Sequence, residues 1–325
     1  MSESRGTITA AGVAAPSRAT ASHASYVLIG TLLGMGGVIL FSMRPGLIKF
    51  AYAYVTDPIT LLALRMGFSL PFFIFIAWWV QRNHSAARLT GRDWRDITLL
   101  GMLGYYLASF LDFIGLQYIG AGIGRLIMFL YPTLVVLLSW AWLGKAPSRG
   151  QLGALGISYA GLVLIFIPYL GVENKALFLG AGLVFAAAAS YAIYLVTGTE
   201  VIKRIGSMRF TAYSMIVASA ICLAQFALLR PLSALDLPMP VYWSAIIMAI
   251  GCTVIPIFMT SEALKRIGAN QFAIMGTLGP VTTIAFGYLG LDESLTPIQI
   301  AGAIAVIIGV VIVTLKPGRR PSVSN

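Results

Sequence analysis

The sequence predicts an all-α integral membrane protein, with ten transmembrane helices arranged as two inverted five-helix repeats. Three observations lead to this fold class: the number and length of the apolar stretches, the alternation of basic residues between loops, and an internal repeat. Of the 325 residues, 58% are hydrophobic and only 10% are charged. A chain of this composition would be insoluble as a globule, so its backbone polar groups need partners within a lipid bilayer.

Ten apolar stretches are each long enough, at about 20 residues, to cross a hydrocarbon core of about 30 Å as a helix. Strands of a membrane barrel need only about ten residues of alternating polarity, so these continuous runs predict helices instead. The predicted spans are residues 26–43, 59–80, 97–118, 122–143, 152–170, 177–197, 210–229, 241–261, 271–291 and 298–315.

The basic residues alternate between the two sides of the predicted spans. Sixteen of the 22 Lys and Arg residues lie in the two tails or in every second loop. Because basic loops stay on the cytoplasmic side, both termini and the loop of residues 82–95 are predicted to be cytoplasmic. The net charge of +11 forms no single stripe, so nucleic acid is not predicted as a partner.

The two ends of the chain differ from the spans in composition. Residues 1–25 are rich in Ala, Ser, Thr and Gly and predict a disordered cytoplasmic tail, and residues 317–325 predict a second tail. The first span lacks a convincing cleavage site after it and is predicted to be a retained helix. Cys222 and Cys252 lie in apolar spans without metal-ligand spacing, which predicts small buried side chains and no metal site.

An internal repeat becomes visible when the chain is aligned with itself at an offset of 148 residues. The landmarks that align are not dictated by hydropathy, so their common register indicates a duplication. They pair Gly120 with Gly268, Pro132 with Pro280, Gln151 with Gln299 and Gly161 with Gly309. The predicted copies are residues 26–170 and 171–316. Each has five helices, so the second copy enters from the opposite face, which is an architecture of secondary transporters with a substrate site between the halves.

Small residues recur along several spans and predict close approach of the helices. Static packing and a sliding or dimerising face are both open, so a homodimer is one predicted partner. These residues are Gly30, Gly34, Gly153, Gly156, Gly161, Gly302, Ala305 and Gly309.

Several short motifs carry a family resemblance. They are Lys49 followed by Leu62-Ala63-Leu64-Arg65, the run 116–121 with Tyr131-Pro132, the run 264–269 with Gly279-Pro280, and the turn of residues 291–297. With these motifs the chain, from about residue 25 to residue 316, resembles the EamA type of the drug/metabolite transporter superfamily. The first copy departs from the pattern at Lys145, where a Glu is usual. The resemblance implies a bacterial inner-membrane protein that moves amino acids, their derivatives or other small metabolites.

Ionisable side chains inside a span are costly, which makes them candidates for function. Asp112 lies near the end of the third predicted span and Arg125 near the start of the fourth, so a short turn brings them to similar depth. We expect the two side chains to pair. The pair could pin the helical hairpin, or it could serve coupling or substrate binding.

Four basic residues are candidates for a cationic lining in the outward half of the protein: Arg44, Lys49, Arg65 and Arg125. Such a lining suits a carboxylate or another anionic group. The alternatives are snorkelling of Lys49 to the interface and structural anchoring by Arg65. The sequence Arg44-Pro45-Gly46 also predicts an interruption of the first helix.

Hydroxyl-bearing side chains in the middle of spans predict a polar cavity, since a hydroxyl in hydrocarbon needs a partner. Their aromatic rings suit an apolar or ring-bearing metabolite, although any single one could simply be packing. The candidates are Tyr105, Tyr106, Ser109, Tyr131, Tyr191 and Tyr194.

Three function classes are open to such a membrane protein: a secondary transporter, an intramembrane enzyme, and a receptor or structural component. An intramembrane enzyme would need a catalytic constellation, and the sequence has neither an HExxH pair nor a glycine-rich phosphate loop. A receptor or structural component would need a long loop or tail to bind its partner, and the sequence predicts none. The prediction is therefore a secondary transporter without cofactor, in a lipid bilayer, that exports an amino acid or related small metabolite. The competing prediction is uptake of a vitamin, such as a riboflavin-like compound, or of a nucleoside-like compound.

Overall fold

The computed structural model describes residues 18–83, 89–144, 146–169, 175–260, 262–263, 266, 278–291 and 295–315. All regular secondary structure in these ranges is helical. The α-helices are α1 (Arg18–Ser42), α2 (Arg44–Tyr52), α3 (Pro58–Asn83), α4 (Gly91–Gly101), α5 (Ala108–Tyr118), α6 (Ala121–Met128), α7 (Tyr131–Leu143), α8 (Arg149–Phe166), α9 (Lys175–Ile205), α10 (Ser207–Leu229), α11 (Met239–Ala249), α12 (Leu278–Leu291) and α13 (Pro297–Leu315). Two π-helical segments, Met102–Leu107 and Ile250–Val254, follow α4 and α11 directly.

Eight helical stretches in the described residues are long and apolar enough to cross a membrane. They are Ser25–Tyr52, Pro58–Arg82, Gly91–Tyr118, Ala121–Trp142, Arg149–Phe166, Lys175–Gly198, Ser207–Leu229 and Met239–Thr260. The predicted all-helical membrane fold is thereby confirmed, and the first eight predicted spans coincide with these stretches. Helices α12 and α13 occupy the places of the ninth and tenth spans, and residues 271–277 of the ninth lie outside the described residues. So do residues 1–17 of the first predicted tail and residues 317–325 of the second. Residues 18–25, which were predicted to be part of a disordered tail, belong to α1 instead.

The duplication extends to local backbone geometry. The π-helical segments begin at Met102 and Ile250, which are 148 residues apart. At the start of α8, Ser148 and Gln151 exchange the hydrogen bonds of a capping box, and Thr296 and Gln299 exchange the same bonds before α13. Each box satisfies backbone N–H groups that a helix start leaves without partners. The same offset that aligns the sequence thus aligns these features of the fold.

The contacts between spans have the same internal symmetry. The first span packs against the eighth and against α12, and the sixth packs against the third and fourth. The second span packs against the seventh, and α8 packs against α13. Exchanging each span of one copy with its equivalent in the other leaves this set of contacts unchanged. Since the first copy contains five spans, the second copy runs through the membrane in the opposite sense.

Among the described residues, three ion-pair contacts connect the two copies, one at one end of the spans and two at the other. Arg230, which follows α10, donates two hydrogen bonds of 2.8 and 2.9 Å to the carboxylate of Asp57, just before α3. Partial burial would raise the pKa of the Asp57 carboxyl, but the bonds from Arg230 and Thr60 outweigh it and hold that pKa below its usual range. At the other ends of the spans, Arg204 contacts both Asp93 and Asp96.

Helices α8 and α13 cross at glycine residues. A Cβ atom at Gly302 would lie 2.6 Å from the carbonyl oxygen of Gly161, and one at Gly309 would lie 2.6 Å from the carbonyl oxygen of Ala154. The two backbones therefore approach more closely than any larger residue permits, as is common between helices in lipid.

We predict that Gly302→Ala destabilises the protein by about 1–3 kcal/mol, because the added methyl group forces two backbones apart. The thermal unfolding midpoint of purified protein in detergent measures this effect. Gly156→Ala is the matched control, since a Cβ at that position meets no atom within 4 Å. Equal midpoints for the two variants would contradict the close crossing.

Candidate functional site

A cavity of about 300 Å³ lies inside the helix bundle. Both copies of the repeat contribute to its wall, through the first four, the sixth, the seventh and the eighth spans. The lining residues are Gly37, Val38, Phe41, Arg44, Arg65, Gly104, Tyr105, Ala108, Ser109, Arg125, Met128, Phe129, Tyr131, Tyr191, Thr211, Thr253, Pro256, Ile257 and Thr260. A cavity of this size holds a small metabolite.

Equivalent faces of the third and eighth spans both form part of the wall. At the offset of 148 residues, Tyr105 corresponds to Thr253, Ala108 to Pro256 and Ser109 to Ile257, and all six residues line the cavity. Tyr105 and Thr253 belong to the two π-helical segments. Such segments concentrate at functional sites because they alter the direction of a side chain within a helix. The cavity thus lies between the two halves.

Arg44 and Asp112 form a buried ion pair in this region. The chain restarts as α2 at Arg44 with Pro45 next, which confirms the predicted interruption of the first span. Nη2 of Arg44 lies 3.1 Å from Oδ2 of Asp112, and the two side chains are 8% and 4% exposed. The predicted pair between Asp112 and Arg125 was therefore wrong. The break at Met43 brings Arg44 to Asp112. The prediction compared only how deep Asp112 and Arg125 lie in the membrane, and depth does not show which side chains face each other.

Arg125 has uncharged partners. Its Nη2 donates to Oγ of Ser42 at 3.1 Å, and its guanidinium lies 5.5 Å from the ring centre of Phe41. The guanidinium of Arg44 lies 4.9 Å from the centre of the same ring. A Cβ at Gly279 would come within 2.8 Å of Arg125, so the glycine gives the arginine room. In the part of the chain that the structure describes, Arg125 pairs with no carboxylate.

Arg65 bridges the third and eighth spans from the second. Its Nη1 and Nε lie 3.4 Å from Oγ of Ser109 and from Oγ1 of Thr253, respectively. The guanidinium also lies 5.7 Å from the ring of Phe113. Only 2% of the residue is exposed. The arginine therefore contacts equivalent regions of the two copies at once.

The charges in this region do not balance. Among the described residues, three guanidinium groups face the cavity and Asp112 is the carboxylate beside them. Residues 267–277, which lie outside the described part, contain no Asp or Glu. The buried Nε atoms of Arg44 and Arg125 have no hydrogen-bond acceptor in the described residues. Buried charge and unpaired donors are costly, so the cavity offers a place for an anionic group.

Lys49 is not part of this cationic lining. It lies in the last turn of α2, partly buried, and is absent from the cavity wall. Three of the four predicted basic residues therefore line the cavity. The position of Lys49 near the end of the span agrees with the alternative of an interfacial side chain.

The predicted tyrosines divide into two groups. Tyr105, Tyr131 and Tyr191 line the cavity together with Ser109, and the rings of Tyr131 and Tyr191 are 5.2 Å apart. Tyr194 lies behind this wall and donates from its hydroxyl to that of Tyr105 at 3.1 Å. Tyr106 stacks on Phe110 and does not line the cavity.

The landmark residues of the repeat lie at helix starts. Gly120 directly precedes α6, Pro132 is the second residue of α7, and Pro280 is the third residue of α12. Gly268 lies outside the described residues. The break between α6 and α7 brings Tyr131 into the cavity wall.

Sequence reasoning missed Phe41 and Thr253. An aromatic residue in an apolar span gives no signal of its own, so nothing in the sequence marks Phe41 as the ring between two arginines. Thr253 could have been found, because the repeat offset aligns it with the candidate Tyr105.

Because Asp112 is paired with Arg44, neutralising either residue alone leaves a charge buried, at a cost of about 3–5 kcal/mol. We predict that Arg44→Gln combined with Asp112→Asn costs at least about 1 kcal/mol less than the sum of the single variants. Thermal unfolding midpoints of the four proteins measure this coupling. Arg125→Gln with Asp112→Asn is the comparison pair, for which we expect weaker coupling. The ion pair would be refuted if Arg44→Gln and Asp112→Asn were simply additive.

Comparison with known proteins agrees with this architecture. The model of the EamA-like transporter family matches the chain twice, over residues 28–167 and 178–315. The uncharacterized transporter YcbK of Bacillus subtilis (strain 168) is 30% identical over 303 residues, which cover 90% of this chain and 95% of that protein. The threonine/homoserine exporter RhtA of Salmonella typhimurium (strain SL1344) is 27% identical over 296 residues, which cover 89% and 92%.

One crystal structure has the same fold, with a TM-score of 0.60 and 20% identity, over 87% of this chain and 95% of that chain. The two matches to the family model coincide with the two copies seen in the helix contacts, and together they span most of the 325 residues. The chain belongs to the EamA-like transporter family.

Proposed function

We propose that the protein is a secondary transporter that exports a small carboxylate-bearing metabolite, of the amino acid class or closely related to it. The observation that carries this proposal is the excess of buried guanidinium groups over carboxylates at the cavity. A substrate carboxylate would supply acceptors for the N–H groups of Arg44 and Arg125 that have none. Guanidinium and carboxylate match in geometry and form charge-assisted hydrogen bonds.

The rest of the cavity suits the other parts of such a substrate. An α-ammonium group can be accepted by the faces of Tyr131 and Tyr191 through cation–π contact, and small side chains can be accepted by the apolar wall. The similarity to an exporter of threonine and homoserine supports the amino acid class. Export of this kind can run down the metabolite's own gradient, without a nucleotide.

The proposal is tested by transport into proteoliposomes with three matched compounds. L-Threonine carries both charged groups, L-threoninamide lacks the carboxylate, and 3-hydroxybutyrate lacks the ammonium group. We expect transport of the compounds with a carboxylate and none of the amide. If the amide or neutral ring compounds such as riboflavin were carried and carboxylates were not, the competing vitamin-like substrate class would replace this one.

Within the same assay, we predict that Arg125→Gln raises the KM for the transported carboxylate about 10- to 100-fold, the value of one or two charge-assisted hydrogen bonds. Gly279→Ala should raise it in the same direction, because its methyl group would displace the Arg125 side chain. Arg149→Gln is the control, since that arginine is exposed at the start of α8. An unchanged KM in Arg125→Gln would show that the arginine does not bind the substrate.

We further propose that the protein resides in the bacterial inner membrane with both termini in the cytoplasm. The basic residues of the tails and alternate loops support this orientation. A reporter that is active only in the periplasm should be inactive when fused at the C-terminus and active when inserted beside Asp236, in the loop after α10. The reverse pattern would contradict the orientation.

A further inference from the structure

We propose that Asp112 is a proton-binding coupling residue and that Arg44 is shared between its carboxylate and that of the substrate. The inference rests on the proposed function. When a substrate carboxylate binds Arg44, Asp112 loses its ion-pair partner and takes up one proton. Substrate and proton are then bound together and leave the cell together, so the outward gradient of the metabolite drives export against the inward gradient of protons.

The geometry of the ion pair permits this exchange. Arg44 holds Asp112 through a single contact, from Nη2 to Oδ2 at 3.1 Å, and its Nε has no acceptor in the described residues. Paired arginine and carboxylate groups frequently form two parallel hydrogen bonds, so this pair with one contact is weaker than usual and can be displaced by a second carboxylate. Arg44 lines the cavity, whereas Asp112 is only 3% exposed and does not contribute to the wall. An incoming carboxylate therefore meets Arg44 before it meets Asp112.

The groups around Asp112 make it sensitive to the loss of Arg44. The charges that act on it are those of Arg44, Arg125 and Arg65, and Tyr52 of α2 is the nearby titratable hydroxyl. The Tyr52 hydroxyl donates to the carbonyl oxygen of Phe113 and is thus already engaged. Against the opposite face of α5, α9 contributes Gly180 and Val184 around Gly115, which bring no charge.

After the exchange, the remaining arginines have other partners. Arg125 can bind the same substrate carboxylate, since it shares the Phe41 ring with Arg44. Arg65 keeps its hydroxyl partners Ser109 and Thr253. Asp112 is then a carboxylate with little solvent and no ion-pair partner, and in that setting the protonated form is favoured.

The charges balance at each step. Without substrate, three arginines and one aspartate give the cluster two positive charges. Binding of a carboxylate removes one positive charge, and protonation of Asp112 restores it. The ion pair between Arg44 and Asp112 breaks, the ion pair between Arg44 and the substrate forms, and the proton comes from the surrounding solution. For a carboxylate without an ammonium group, such as 3-hydroxybutyrate, the buried net charge is therefore constant during the exchange, which avoids a large electrostatic cost in low dielectric. An amino acid adds the charge of its ammonium group, which the rings of Tyr131 and Tyr191 can face.

The test measures proton uptake and ligand binding in the same sample. Purified protein in weakly buffered detergent solution at neutral pH is mixed with L-threonine or with 3-hydroxybutyrate, whose carboxylates are already ionised. A pH-indicator dye reports the protons and equilibrium dialysis of radiolabelled ligand reports binding. We expect about one proton taken up for each ligand bound by the wild-type protein and none by Asp112→Asn. Asp236→Asn, at an exposed loop position, should behave like the wild type.

Each outcome supports or overturns the inference. Ligand binding without proton uptake overturns the exchange and leaves the proposed function intact. Proton uptake that persists in Asp112→Asn overturns the assignment of the proton to Asp112. Binding of neither compound overturns the carboxylate substrate class and, with it, the exchange.

A second measurement covers the case in which Asp112→Asn does not fold. In the infrared difference spectrum of the wild-type protein, ligand addition should produce the C=O band of a protonated carboxyl group. Labelling the ligand's carboxylate with ¹³C shifts the ligand's own band to lower frequency, so that it is not mistaken for the band of Asp112. Binding without such a band would also overturn the proposal.

Discussion

The arrangement of the cavity depends on how three guanidinium groups are stabilised inside a membrane protein when the described residues place one carboxylate beside them. An isolated cation in hydrocarbon costs several kcal/mol, so each arginine must be provided with partners by the fold. The break at Met43 turns Arg44 toward Asp112. The close approach at Gly279 makes room for Arg125 beside Ser42. Helix breaks and glycines that look like irregularities are thus what make buried charge tolerable.

The framework is symmetric and its chemistry is not. The π-helical segments, the capping boxes and the helix contacts all recur at equivalent places in the two copies. The ionisable side chains do not recur: Asp112 corresponds to Thr260 and Arg125 to Ala273. The second copy supplies hydroxyl and apolar surface to the same cavity. A substrate in this cavity would therefore be oriented, with its anionic end toward the first copy.

The sequence predicted the spans and the repeat well, because hydropathy and the landmark residues are local signals. From the sequence we also predicted that Arg44, Arg65 and Arg125 line one cavity and that Asp112 lies beside Arg125. The prediction failed on the partner of Asp112, since position along a helix gives depth but does not give the direction in which a side chain points. For the same reason it included Lys49 and Tyr106, which lie on the same helices as cavity residues but on other faces. Phe41 carried no signal at all.

The capping boxes before α8 and α13 have a consequence for the history of the protein. Ser148 with Gln151 and Thr296 with Gln299 form the same capping box in the two copies. The single ancestor of the two copies therefore already needed this box in order to fold. The positions that bear charge were under no such common demand once two copies existed. One copy could then retain the ionic chemistry while the other diverged to fit the shape of the cargo. Differences in cargo among relatives should therefore map to the eighth span, around Thr253 and Pro256, more than to the arginines.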